Sequence, residues 1–160
     1  YVLKKADSIT CDGEHIIKPL IELGAEPQKI SLIYFGVDTQ KFSSGEKDRS
    51  LQKELNIFGS PTVISLRNLE PLYDVSSLIT SIPMVLKKVP EAKFVIAGKG
   101  SQEEGLKKLA KSLGVLNSVR FVGLIPNEEL SKYLRSSDVY VSTSLSDAGL
   151  SASTAEAMAC

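Results

Sequence analysis

The sequence predicts an α/β protein built on a parallel, Rossmann-like sheet with helices on both faces. From Pro61 onward, short apolar runs alternate four times with segments of helical periodicity, and the links between them are short. The apolar runs lack the polar alternation of a half-exposed strand, which indicates strands covered on both faces. In such sheets, ligands bind outside the carboxyl ends of the strands. The residues that follow each strand are therefore the first candidates for a functional site.

The composition excludes several classes of protein. A chain of 160 residues with 42% hydrophobic residues can bury a core, so wholesale disorder is not expected. Its 19 basic and 19 acidic side chains give no net positive charge, so nucleic acid is not expected as a partner. The sequence has no apolar run long enough to cross a membrane. Because Cys11, His15 and Cys160 show no ligand spacing, we expect no protein-built metal centre, and the low cysteine content favours the cytoplasm.

Four apolar runs are the predicted strands of the sheet. They occupy residues 62–66, 93–97, 119–122 and 139–141. The first run, Thr-Val-Ile-Ser-Leu, is rich in β-branched residues, as is typical of a buried strand.

Four helices are predicted between and after these strands. Residues 75–89 and 103–113 place apolar side chains at helical spacing, and Gly114 is the expected end of the second helix. Asn127 is the predicted N-cap of a third helix, because two glutamates follow it in the first turn. The fourth helix is predicted over residues 151–159.

The first 60 residues follow a less regular pattern. Residues 6–10 and 29–34 are predicted strands, and residues 14–23 a helix between them. Residues 38–60 are polar, so a domain seam or linker is predicted around residues 36–45. The chain begins with Tyr rather than Met and ends inside a helical pattern, from which we expect a piece of a longer protein.

Two residues after the first two strands are candidates for binding a ligand. Arg67 follows the strand of residues 62–66, and its guanidinium could form forked bonds to phosphate, although a solvated surface arginine is equally compatible. Gly98 opens a Gly-Lys-Gly turn that either allows close approach of a ligand or is simply tight, the second being favoured. Glu103 stands where a dinucleotide fingerprint needs its third glycine, which disfavours a nicotinamide dehydrogenase.

The last strand is followed by a loop of small residues that leads into the last helix. Residues 142–150 could direct backbone amides inward, and the helix N-terminus after them carries partial positive charge that suits a diphosphate. Glu156, inside the helix, could accept hydrogen bonds from a ribose diol. Taken alone, the composition favours a Ser/Thr-rich loop and an ordinary exposed glutamate.

Together these segments resemble the group 1 (family 4) retaining glycosyltransferases, whose two facing Rossmann-like domains form the GT-B arrangement. The resemblance implies that residues 1–38 are the end of the acceptor domain and the hinge. Residues 39–160 would be the donor-nucleotide domain, truncated at its C-terminus. The segments that carry the resemblance are Ala6-Asp7-Ser8-Ile9-Thr10, Gly36-Val37-Asp38-Thr39 with Phe42, Ile64-Ser65-Leu66-Arg67-Asn68-Leu69, residues 94–100, residues 119–123 and residues 142–160.

The resemblance also implies roles for individual residues. Arg67 would bind the donor diphosphate and Glu156 the ribose hydroxyls, while Asp147 would position sugar hydroxyls as the catalytic-site residue. The other implied donor-binding residues are Gly98, Val122, Gly123, Gly149 and Leu150, of which Val122 and Gly123 would lie beside the base and Gly149 and Leu150 in the phosphate and sugar loop.

The sequence departs from the family pattern at two places. The usual separation of two acids would place the first at Ala148, but the nearest acid is Asp147. The family commonly has a Lys-Gly pair after the arginine, where Leu72 and Tyr73 stand here. A branch of the family with the pattern Arg-Asn-Leu-x-Pro-x-Tyr would explain the second departure.

The implied function is transfer of a hexosyl group, with retention, from a UDP- or GDP-sugar to a sugar or lipid-linked acceptor. The resemblance implies no cofactor and no divalent metal, and a cytoplasmic protein that is either free or peripherally attached to the inner face of the cell membrane. Two alternatives are a sugar-nucleotide epimerase of the same fold and an inactive sugar-nucleotide-binding module. The chain alone is expected to bind nucleotide weakly and to transfer no sugar.

Overall fold

The computed structural model describes residues 2–147 and 149–160, and within them the strands form two parallel sheets. The smaller sheet pairs β1 (Ile9–Cys11) with β2 (Ile30–Leu32). The larger sheet has the spatial order β5-β4-β3-β6. Its strands are β3 (Thr62–Leu66), β4 (Lys93–Ala97), β5 (Val119–Gly123) and β6 (Val139–Tyr140).

Helices connect the strands. Three helices precede the first strand of the larger sheet: α1 (Val2–Lys5), α2 (Glu14–Glu22) and α3 (Arg49–Glu54). Four follow its strands: α4 (Val75–Leu86), α5 (Glu103–Ser112), α6 (Leu130–Arg135) and α7 (Ala152–Ala159). Among the residues described, none of these helices has the length and apolar character needed to cross a bilayer.

The larger sheet is covered on both faces, as the apolar runs predict. Phe94 and Ile96 of β4 point to one side, where they pack with buried residues of α4 and α5. Val95, between them, points to the other side and packs with Ile64 of β3 and Leu134 of α6. This alternation along one strand places a hydrophobic core on each face of the sheet and confirms the predicted fold class.

The order of the strands creates a crevice at one edge of the sheet. β3, β4 and β5 are successive neighbours, but β6 lies on the other side of β3. After β5 the chain returns past β3 to form β6 on its far side, so the strand order reverses between β3 and β6. In open α/β sheets, the crevice outside the carboxyl ends of two such strands is the usual binding place. Arg67 follows β3 at this crevice and Ser142 follows β6.

The polar stretch of residues 38–60 contains a helix and part of the core. Asp48 caps α3 by accepting hydrogen bonds from the amides of Ser50 and Leu51 at 2.9 and 3.0 Å. Phe42 and Ile57, on either side of the helix, are buried in the same core as Ile64. The helix was not predicted because it is only six residues long and its apolar positions are few.

The predicted start of the helix after β5 is wrong. Asn127 does not cap it, because the amide of Glu129 donates to the carbonyl of Pro126 at 2.9 Å and closes a turn around Asn127. The helix begins only at Leu130. The other boundaries of the larger sheet differ from the predicted ones by three residues or fewer.

Candidate functional site

Arg67 lies at the centre of a hydrogen-bonded cluster at the carboxyl edge of the larger sheet. Its Nε donates to Ser142 Oγ at 2.9 Å. Its Nη2 donates to Asp147 Oδ2 at 2.6 Å and to Ser151 Oγ at 2.7 Å. The side chain thus joins the end of β3 to the segment after β6 and to the cap of α7. Two of the residues that the sequence predicts, Arg67 and Asp147, are in direct contact.

Burial makes the contact between Arg67 and Asp147 electrostatically significant. Arg67 is only 8% exposed, and the side chain of Asp147 is 28% exposed. A guanidinium held away from water needs a counter-charge and acceptors for its N–H groups. In this structure Asp147 supplies the charge, and the hydroxyls of Ser142 and Ser151 supply acceptors.

Gly98 follows β4 and packs directly against the backbone of Arg67. Its φ is +131°, and a Cβ atom at this position would lie 2.0 Å from the carbonyl oxygen of Arg67. Its amide donates to the carbonyl of Gly123 at 2.7 Å. Only glycine tolerates both the conformation and the contact. The tight-turn interpretation of Gly98 therefore has a structural basis, and the turn holds the start of the Arg67 segment in place.

A cleft of about 200 Å³ lies beside this cluster. It brings together three predicted residues: Arg67, Gly98 and Glu156. Its apolar wall is formed by Leu124, Ile125 and Leu130. A polar end with a cation and a carboxylate, facing an apolar wall, is an arrangement that can accommodate a ligand with a charged part and a flat, weakly polar part.

A larger cavity, of about 720 Å³, opens at the opposite, amino-terminal edge of the sheet. It is lined by Lys47, Arg49, Phe58 and Asp138, and Lys47 forms an ion pair with Asp138. No residue that the sequence predicts to be functional lies there. Because ligands of parallel sheets bind at the carboxyl ends of strands, the smaller cleft is the better candidate.

Helix α7 carries Glu156 into the cleft and turns its N-terminus toward the Arg67 cluster. Ser151 caps the helix and accepts a hydrogen bond from the amide of Thr154 at 3.4 Å. The amides of Ala152 and Ser153 have no acceptor among the residues described. Backbone amides at a helix N-terminus attract anions. Ser151, the cap of α7, is also the residue whose hydroxyl accepts a hydrogen bond from the Arg67 guanidinium.

Glu156 is half-buried, and its environment affects its charge. Burial raises the pKa of the Glu156 carboxyl, and the positive charge of Lys41 opposes that rise. A carboxylate with incomplete hydration gains from hydrogen-bond donors that a ligand brings. Vicinal hydroxyls are donors of this kind.

The remaining predicted residues among those described do not line the cleft. Val122 packs into the core on the α6 face, and Gly123, with φ of +70°, is held by its bond from Gly98. A Cβ atom on Gly149 would lie 2.7 Å from the carbonyl oxygen of Asp12, so this part of the loop rests on the turn after β1. Leu150 is 44% exposed. Ala148, the position at which the family pattern places an acid, lies outside the described residues.

Of Leu72 and Tyr73, which stand in place of the lysine and glycine of the family pattern, Tyr73 contacts Arg67 and Leu72 contacts the loop after β6. The Tyr73 ring centroid lies 5.7 Å from the guanidinium carbon of Arg67. The carbonyl of Leu72 accepts a hydrogen bond from the amide of Leu145 at 2.9 Å, and Thr143 Oγ1 donates to the carbonyl of Tyr73 at 3.1 Å. This segment therefore supports the loop that follows β6.

Several residues of the site were not predicted from the sequence. Ser142 and Ser151 complete the Arg67 cluster, and Leu124 and Ile125 form much of the apolar wall. Among the described residues there is no group of three or more His, Cys, Asp or Glu side chains arranged to hold a metal ion.

Comparison with known proteins gives the family. The model of the family described as glycosyl transferases group 1 matches residues 46–160, well over half of the chain. A GDP-mannose-dependent α-(1-6)-phosphatidylinositol monomannoside mannosyltransferase of Mycobacterium tuberculosis is 35% identical over 106 residues. That match covers 66% of this chain and 28% of the relative. An α-monoglucosyldiacylglycerol synthase of Streptococcus pneumoniae is 27% identical, over 91% of this chain and 34% of its own length.

Solved structures share the fold. HepE of Anabaena, in complex with UDP and glucose, aligns with a TM-score of 0.82 at 20% identity. The alignment covers 97% of this chain and 42% of HepE. Sucrose-phosphate synthase of Thermosynechococcus elongatus aligns with a TM-score of 0.81. That alignment covers 99% of this chain and 40% of the synthase chain. The chain thus spans well under half the length of these proteins. On the strength of the family match, this chain belongs to the group 1 glycosyltransferases, and its fold is that of GT-B glycosyltransferases.

Proposed function

We propose that the protein to which this chain belongs transfers a hexosyl group, with retention, from a UDP- or GDP-sugar to a sugar or lipid-linked acceptor. The observation that carries the proposal is the position of Arg67. It lies at the crevice between β3 and β6, buried, beside the N-terminus of α7 and in the same cleft as Glu156. A cation, the amides of a helix N-terminus and a carboxylate together suit a diphosphate followed by a ribose.

The chemistry follows from the charge that develops on the donor. As the bond to the sugar breaks, the sugar becomes oxocarbenium-like and negative charge grows on the departing diphosphate. Arg67 and the amides of Ala152 and Ser153 would stabilise that charge, because they are fixed in place before the reaction begins. With these groups present, we propose that the reaction needs no divalent metal and no cofactor.

The other residues of the site would hold the donor in position. In this proposal Glu156 accepts hydrogen bonds from the ribose hydroxyls, and Asp147 positions hydroxyls of the sugar. The turn around Gly98 keeps Arg67 aligned, and Gly149 and Leu150 belong to the loop that meets the phosphates and the sugar. Val122 and Gly123 lie in the segment proposed to approach the base, next to Leu124 and Ile125.

The relatives support this class of donor and acceptor. The mycobacterial relative is GDP-mannose-dependent and acts on a phosphatidylinositol mannoside, and the pneumococcal relative is a glucosyldiacylglycerol synthase. HepE was solved with UDP and glucose. By analogy we propose a lipid-linked or sugar acceptor, and a cytoplasmic protein that associates peripherally with the inner face of the membrane.

Two observations favour a second candidate, a nucleotide-sugar-binding module without activity. Arg67 is already paired with Asp147, and Tyr73 occupies a position at which the family commonly has the lysine–glycine pair. If no other cation reaches the diphosphate, binding could occur without transfer.

The test is a transfer assay. The protein is incubated with radiolabelled UDP- and GDP-hexoses and with lipid and sugar acceptors, with and without a chelator. We expect transfer that survives chelation, and a product whose anomeric configuration by NMR equals that of the donor. The 160-residue chain alone is expected to bind nucleotide without transfer. Nucleotide binding without turnover by the complete protein would favour the binding module, and absence of binding would refute both.

A further inference from the structure

Most of the hydrogen-bonding capacity of Arg67 is used within the protein. Of the five N–H groups of a guanidinium, the Nε–H and both Nη2–H groups donate to Ser142, Asp147 and Ser151. The side chain is 8% exposed. A diphosphate that approached Arg67 in this state would meet a cation whose charge and donors are largely occupied.

The charges around the cleft lead to the same conclusion. Among the described residues that line it, Arg67 is the cation and Glu156 the acid. Asp147 neutralises Arg67 directly at 2.6 Å. With Asp147 in place, Arg67 itself offers no net positive charge to a ligand that carries at least two negative ones. A diphosphate therefore gains the full charge of Arg67 only if Asp147 gives way.

Asp147 is the partner that can move. Arg67 is fixed at the end of β3, because the turn at Gly98 packs against its carbonyl oxygen and Ser142 holds its Nε. Asp147 lies in the loop between β6 and α7, outside any helix or strand, and its side chain is 28% exposed. Gly149 follows it closely in the chain. A carboxylate on such a loop can leave the guanidinium without disturbing the sheet.

We infer that Asp147 occupies the diphosphate position of Arg67 in the free protein and exchanges with the diphosphate of the donor. The inference rests on the proposed function and adds a step to it. The carboxylate sets the affinity for the donor, and once displaced it is available to the hydroxyls of the sugar. No covalent bond is made or broken in this step. One anion replaces another at the same guanidinium.

The experiment compares the affinity of two variants for UDP, GDP and inorganic pyrophosphate by calorimetry. Asp147→Asn removes the charge and keeps the shape of the side chain. Glu104→Gln, on the exposed face of α5, makes the same change in net charge away from the cleft. We expect Asp147→Asn to bind each diphosphate about tenfold more tightly than the unchanged protein. Affinity for uridine and guanosine should not change, and Glu104→Gln should match the unchanged protein throughout.

If Asp147 served only to position Arg67, Asp147→Asn would weaken diphosphate binding instead of strengthening it. Equal or weaker binding of diphosphates by Asp147→Asn would overturn the inference while leaving the proposed function intact. If folded protein binds no nucleotide with or without the substitution, the proposed function fails and the inference with it. Should Asp147→Asn be too unstable to titrate, Asp147→Ser is measured by its rise in melting temperature at saturating UDP, which should exceed that of the unchanged protein.

Discussion

Arg67 owes its position to its neighbours as much as to its own strand. Its burial is stabilised by one carboxylate and two hydroxyls that come from beyond β6. A surface arginine would have its charge screened by water and salt, whereas this one acts in a partly desolvated cleft. The residue therefore combines a structural role, joining two parts of the chain, with the role proposed for it toward phosphate.

Replacement of Arg67 by alanine should separate these roles. We expect Arg67→Ala to weaken UDP and GDP binding by about 1.5–3 kcal/mol, since charge-assisted hydrogen bonds to phosphate are lost. Nucleoside affinity should hardly change, and calorimetry of uridine against UDP measures the difference. The control is Arg49→Ala at the amino-terminal edge, which removes the same charge. Equal losses for uridine and UDP would mean that Arg67 acts only through the structure.

Glu156 should affect stability and binding in opposite directions. Burial raises its pKa, so charging it costs free energy in the folded state as the pH rises through that value. We therefore expect Glu156→Gln to increase the free energy of unfolding at neutral pH, with the difference vanishing near pH 3, where the carboxyl is neutral in both states. The same variant should bind nucleotide less tightly, and Glu156→Ala should lose about 1–3 kcal/mol of affinity. Denaturation at pH 3 and pH 7, together with calorimetry, measures both effects; a stability loss at pH 7 would contradict the assignment.

At the scale of single elements, the turn after β4 is the most sensitive point of the site. Gly98→Ala would place a methyl group 2.0 Å from the carbonyl oxygen of Arg67 at a φ of +131°. We expect a loss of at least about 2 kcal/mol in the free energy of unfolding and weaker nucleotide binding. Gly105→Ala is the matched control, because nothing lies within 4 Å of its added Cβ and it is inside α5. It should stabilise the protein by about 0.5–1 kcal/mol. Chemical denaturation of the two variants distinguishes a steric effect from a general effect of the substitution.

The strands of the larger sheet could be predicted because burial on both faces makes them continuously apolar. β3 and β4 have the predicted bounds, since each run ends at a sharp change to polar residues or glycine. Short helices could not be predicted in the same way. α3 is stabilised by a cap at Asp48 and by packing of Leu51, and neither effect appears as periodicity in six residues. Asn127 fails as a cap because a turn at Pro126 competes for the same backbone groups.

At the scale of the whole molecule, hydrogen-bonded carboxylates make the free energy of unfolding depend on pH. Hydroxyl groups lower the pKa of three carboxyls: Ser50 that of Asp48, Ser101 that of Glu70, and Ser76 with Ser77 that of Asp74. Each group has a lower pKa in the folded than in the unfolded state, so protonation favours unfolding. The contribution of these three carboxylates to stability should be complete above about pH 4.5 and should be lost as the pH falls below about 4. Denaturant titrations from pH 3 to pH 6 measure it by comparison of Ser101→Ala with the unchanged protein: the variant should lose less stability below pH 4, and an equal loss in the two proteins would contradict the prediction.

The site could be predicted only in part, because its geometry depends on the order of the strands. Arg67 is a candidate because it follows a strand, whereas Glu156 becomes one mainly through the resemblance to the family. That Arg67 meets Ser142 and Asp147 follows from β6 lying next to β3, which no local pattern reveals. The apolar wall at Leu124 and Ile125 lies just beyond the predicted base-binding residues, because β5 extends to Gly123 and the chain then turns over the cleft.

The central claim is that a nucleoside diphosphate binds in the cleft at the carboxyl edge of the larger sheet. A crystal structure of the protein with UDP or GDP tests it most directly. We predict the diphosphate within hydrogen-bonding distance of Arg67 and of the amides at the start of α7, with the ribose at Glu156 and Asp147 turned away from the guanidinium. A nucleotide bound instead in the larger cavity at the amino-terminal edge, beside Arg49 and Phe58, would contradict the account.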